Sequence, residues 1–231
     1  MASLADPSLP GQRVELAKVV SLFHLMQDVF HFCGRIDPHN YMKICLKAVF
    51  DNIDEIAYKI HRDGAAYNPK RSLHNTRTRL CNALLGEAKW AAVGQFPKAE
   101  EYLKIANDTS GIDVVPLHTF FLLGEGTTRE TVHLVNNDPP IISSVSTIFR
   151  LWDGLGTSVT EARNHVMNKI SDTWKQLKLH CLSPNPFSAS FTRAALNIAR
   201  LAPLIHCFEH RPKLPCLQKN IKSLLFDRIA V

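Results

Sequence analysis

The segment from residue 150 to residue 161 concentrates side chains that could do chemistry: Arg150, Asp153, Thr157 and Glu161. Asp153, Thr157 and Glu161 stand at i, i+4 and i+8, the spacing of one helix stripe that drifts by about 40° per step. Two carboxylates and a hydroxyl are hard oxygen donors of the kind Mg2+ accepts, with water or phosphate oxygens completing an octahedron. Arg150, three residues before Asp153 on the same side, is placed to donate a bidentate bond to a phosphate. Spacing alone leaves a second reading open, a solvated helix face, because such triplets recur by chance.

A second polar stripe holds His24, Gln27, Asp28 and His31. The pattern HxxxDxxH could in principle hold Zn2+ or Mn2+, but no fourth ligand stands nearby, and a plain polar helix face is the reading preferred. The run from His206 to His210 offers further donors; near a helix end before Pro212, it reads as surface. Trp90, Trp152 and Trp174 sit at helical positions and are expected in the core. The six cysteines include no pair closer than nine positions, which excludes a CxxC zinc or redox motif and suggests no disulfide framework.

Helices must position these groups. Apolar residues recur at helical spacing from Arg13 to Cys33, through Leu16, Val19, Val20, Phe23, Met26 and Phe30. The same period predicts helices over about Tyr41–Ile60 and Ser72–Val93, the latter stopped by Gly94 and Pro97, and a short one around Ala99–Ala106. An apolar stretch follows from Val114 to Leu123. Further helices are predicted after Pro139-Pro140, over Glu161–Leu177, from Ser188 to Cys207 beyond the turn Ser183-Pro184-Asn185-Pro186, and over about Leu217–Phe226. Residues 1–12, with Pro7, Pro10 and Gly11, read as a tail, and residues 13–231 as one α-helical domain. No alternating strand pattern and no repeat occurs. The expected class is all-α, an antiparallel helical bundle around one core.

With 231 residues, 45% apolar and 21% charged, the chain can bury a sizeable core and is not a disordered sequence. Lys and Arg number 27 against 21 Asp and Glu, a net charge of +6, which suits an anionic ligand. No basic run accompanies that charge, so no nucleic-acid partner is expected. The longest uncharged stretch, Leu179–Thr192, is short for a membrane span and is interrupted by Pro184 and Pro186. No membrane association is expected. The N-terminus shows neither an apolar signal core nor Arg-rich transit character, so the expected location is the cytoplasm, with the plastid as runner-up if the natural chain starts earlier.

The runs Cys81–Trp90, Pro97–Leu103, Ser110-Gly111, Phe120–Gly124 and Ile141–Ser144 resemble plant terpene synthases. The stretch Ile170–Lys175 through Ser183–Phe187 is similar to the linalool/nerolidol synthase branch in particular. The resemblance covers nearly everything after residue 12 and reaches part of the family's C-terminal, metal-binding α domain, a truncated class I terpenoid synthase fold. It implies a carbon–oxygen lyase acting on a prenyl diphosphate, geranyl or farnesyl, and yielding an acyclic terpene alcohol such as linalool or nerolidol. It implies Mg2+ as cofactor, with Mn2+ as the alternative.

In that family, DDxxD and (N/D)D(L/I/V)x(S/T)xxxE face each other and hold three Mg2+ ions on the diphosphate. The second motif falls on Asp153, Thr157 and Glu161, with Gly154 at its second acidic position, and Arg150 matches the diphosphate-binding arginine. The family carries a longer loop after this motif; here the chain passes at once into Ala162-Arg163-Asn164-His165. DDxxD falls on Gln27-Asp28-Val29-Phe30-His31, so Asp28 is a weak remaining ligand, and Gln27 and His31 replace carboxylates. Impaired turnover is therefore expected. The alternatives are a non-catalytic helical protein from a degenerate gene copy, binding a prenyl diphosphate or pairing with an intact relative or a second copy, and a gene fragment never made as a stable protein.

Overall fold

Prolines ahead of apolar runs and glycines behind them punctuate the chain into helices. The computed structural model describes residues 4, 6–32, 38–62, 67–94, 97, 105–155 and 160–206. The helices are α1 (Pro10–Phe32), α2 (Pro38–Arg62), α3 (Lys70–Val93), α4 (residues 105–109), α5 (Val114–Leu123), α6 (Arg129–Asn136), α7 (Pro140–Leu155), α8 (Thr160–Leu182) and α9 (Ala189–His206). Among the described residues every element is helical, as the periodicity predicts.

The ends follow local rules. α3 and α5 stop where Gly94 and Gly124 take left-handed φ of 66° and 69°, each donating its N–H back into the last turn. Proline opens α7, where its missing N–H costs nothing, and the Ile142 N–H bonds Pro139 O at 2.8 Å. The Ser188 hydroxyl accepts from Phe191 N ahead of α9. Asn185 ties the preceding turn by donating to His180 O and Ser183 O while accepting from Phe187 N.

α5 is the middle of the molecule. Eight of its ten residues are buried, including Leu117, Phe120 and Phe121, and a helix that is apolar all round needs cover on every side. α1, α3 and α9 supply it. Phe120 makes edge-to-face contacts with Phe121, Phe187 and Phe191, which lock α5 to the start of α9. α7 packs on both α8 and α9 and buries Ile141, Val145, Ile148, Phe149 and Leu151. This second layer carries Arg150 and Asp153.

Three expectations change. Of the expected tail at residues 1–12, the described residues are not simply a tail: Leu4 is 2% exposed within the core, α1 starts at Pro10, and the Arg13 guanidinium donates to Asp6 O at 2.6 Å and to Leu4 O at 3.3 Å. One apolar side chain and one cation outweigh the proline-rich composition there. α6 was not foreseen. Asp153 lies in the last turn of α7 and Glu161 in the first turn of α8, two helices rather than one, while Thr157 lies outside the described residues. The predicted helix at 217–226 lies outside the described residues, and of the one around 99–106 only residues 105 and 106 are described.

Candidate functional site

The C-terminal turn of α7 brings Arg150 and Asp153 together. Arg150 Nη1 donates to Asp153 Oδ2 at 2.6 Å, an i,i+3 pair on one helix face. The Asp153 side chain is 41% exposed and that of Arg150 22%, so this ion pair is open to solvent on the carboxylate side. The second carboxylate oxygen faces the end of α9: His206 Nδ1 lies 3.6 Å from Asp153 Oδ1. The His206 ring stands edge-on to Phe149, with centroids 5.9 Å apart and planes at 82°, and its side chain is mostly covered. His206 is therefore not the surface residue its place near a proline suggests; the packing of α9 on α7 turns it inward.

Thr157 lies outside the described residues, and Glu161 is placed on α8 with its side chain outside them. Gln27, Asp28 and His31 belong to the C-terminal part of α1, and their side chains also lie outside the described residues. His24 of the same stripe is described. Its Nδ1–H donates to Val20 O at 2.8 Å, a bond within its own helix. Trp152 and Trp174 pack against the core as expected, and Trp90 is half-buried. Among the described residues no three His, Cys, Asp or Glu side chains gather closely enough to hold a metal ion. Asp153 supplies one hard oxygen of the kind Mg2+ takes, but the donor facing it is an imidazole nitrogen, which Mg2+ does not favour.

A second polar group of residues lies inside the protein, between α3 and α5. Arg77 is 1% exposed, and none of its three guanidinium nitrogens has a hydrogen-bond partner among the described residues. Burial pulls its pKa down to about 10, against the attraction of Cys81 and Asp113. Burial likewise raises Asp113 to about 6 even though it accepts from Arg79. His118 is lowered to about 3 by burial and by the nearby Arg77, although its Nδ1–H donates to Val114 O at 2.7 Å. The interior thus holds a strained charge cluster that periodicity could not reveal. An open cleft of about 430 Å³ elsewhere, lined by residues such as Leu9, Glu125, Arg193 and Asn197, includes none of the motif residues.

Comparison with known proteins connects the α7 geometry to a family. The terpene synthase family, metal binding domain, matches residues 36–180, a span that contains Arg150, Asp153, Thr157 and Glu161 and begins after Gln27 and His31. The chain is 48% identical to probable terpene synthase 4 of Ricinus communis, with all of this chain and 49% of that protein aligned. It is 36% identical to the chloroplastic S-(+)-linalool synthase of Arabidopsis thaliana, over 97% of this chain and 47% of that one. Among solved structures, limonene synthase with 2-fluorolinalyl diphosphate superposes with a TM-score of 0.76 at 24% identity, covering 93% of this chain and 44% of that one.

The chain spans about half the length of the curated relatives it matches. Its alignment with the Ricinus protein runs over 276 positions although the whole chain has 231 residues, so 45 positions inside the aligned span have no counterpart here. The all-α fold is that of class I terpene synthases, and the chain belongs to the terpene synthase family, as part of its metal-binding domain.

Proposed function

We propose that this chain is the prenyl-diphosphate-binding part of a terpene synthase, directed to geranyl or farnesyl diphosphate and to an acyclic alcohol such as linalool or nerolidol. The observation that carries this reading is the Arg150–Asp153 pair at the exposed end of α7, within the family's metal-binding domain. Arg150 holds Asp153 in place through their ion pair. A diphosphate offers the guanidinium a more highly charged partner in the same fork geometry, which frees the carboxylate to turn outward. Asp153, Thr157 and Glu161 would hold one divalent ion, Mg2+ or Mn2+. Such an ion, when bound, neutralises the leaving diphosphate and so assists breakage of the allylic C–O bond.

The other half of such a site is altered. Gln27 offers an amide and His31 an imidazole where the family has carboxylates, and neither is a good Mg2+ donor. Each 1.36 kcal/mol of lost transition-state stabilisation is tenfold in rate, so loss of several kcal/mol lowers turnover by on the order of 10³ or more. The same substitutions, with the shortened alignment, favour a second reading: a binding or partner protein that holds a prenyl diphosphate without converting it.

Titration calorimetry with inorganic diphosphate, with and without Mg2+, tests the binding; gas chromatography of incubations with geranyl and farnesyl diphosphate tests the chemistry. We expect Mg2+-dependent binding that Arg150→Ala and Glu161→Gln each abolish, and little product. Robust terpene alcohol from the unmodified chain would show that Gln27 and His31 matter less than argued. Binding indifferent to Mg2+ and to Arg150 would remove the site.

A further inference from the structure

We draw no further inference here: the strongest candidate, the buried Arg77 guanidinium between α3 and α5, which has no hydrogen-bond partner among the described residues and would suit a small anion, carries nothing, because no space for a ligand is shown beside it among the described residues and the nearby Asp113 carboxylate opposes an anion.

Discussion

Arg77 carries a charge into the interior with nothing among the described residues to bond it. Its guanidinium is 1% exposed, its three nitrogens have no hydrogen-bond partner among the described residues, and the attraction of Cys81 and Asp113 falls short of offsetting its burial. Replacing buried charges by apolar groups of similar volume is often stabilising, by about 1–4 kcal/mol. Arg77→Leu should therefore raise the thermal midpoint, and calorimetry showing a lower midpoint would mean that Arg77 has an acceptor after all. The neighbours Asp113 and His118 oppose each other in pH. His118, lowered to about 3 from 6.5, stays neutral in the fold while the unfolded chain takes up its proton, so its contribution is present above pH 6.5 and is lost as pH falls towards 3. Asp113, raised to about 6 from 3.8, keeps its proton in the fold, so its contribution is present below pH 3.8 and is lost as pH rises through 6. Between about pH 6 and 4 the two nearly cancel, each worth about 1.4 kcal/mol per unit at most. Asp113→Asn should steepen the acid loss of stability in that window and His118→Leu should reduce it, as read by urea denaturation at several pH values. Equal slopes in all three proteins would rule the pair out as the pH-sensitive groups. No sequence pattern showed this cluster, because its members sit on α3, in the turn before α5 and on α5 itself, and only packing brings them together.

At the scale of elements, the helices that were legible are those with strong punctuation and a wide apolar face. α3 ends at Gly94 and α7 begins at Pro140, as the sequence indicates. α6 was missed because it has eight residues and its capping box uses Thr131 in the third position instead of Glu or Gln, so it lacks the usual signature. The site was legible only within a helix. Arg150 and Asp153 pair three residues apart, a relation any helix guarantees, whereas His206 reaches Asp153 through the packing of α9 on α7. One glycine sets how closely α1 approaches the segment before α5. Gly111 has φ of +59°, and a Cβ there would come within 1.8 Å of Phe23 Cε2. Phe23 is in the core, so its ring cannot swing into solvent without leaving a void. Gly111→Ala should destabilise the chain by about 2–4 kcal/mol, overpacking and the left-handed backbone both contributing. Chemical denaturation measures it, and a change under half a kcal/mol would mean that α1 can shift away freely.

For the whole molecule, the core runs continuously from Leu16 of α1 through α5 to Ala202 of α9, yet apolar side chains remain outside it. On α8, Met167, Leu179 and Leu182 are 40%, 57% and 80% exposed. At 100° per residue Leu179 and Leu182 stand about 60° apart and one turn along the helix, whereas Met167 lies about three turns away with exposed Asn168, Ser171, Lys175 and Lys178 on the same arc. α7 and α9 cover α8 from the other side, and among the described residues nothing lies over Leu179 and Leu182. Leu179 and Leu182, one turn apart and both exposed, form a small uncovered apolar patch at the end of α8, and such a patch favours association. The net charge of +6 opposes self-association only weakly at physiological salt, where the screening length is about 8 Å. We therefore expect the chain to self-associate with rising concentration in sedimentation velocity. Leu179→Glu combined with Leu182→Glu, which puts two like charges into each face of any contact through this patch, should return it to the monomer while leaving the helical circular dichroism unchanged. A monomer at all concentrations would show that the patch is satisfied within a single chain. Association that survives the double variant would place the contact on another face, where Ile44 and Tyr58 of α2 are also exposed.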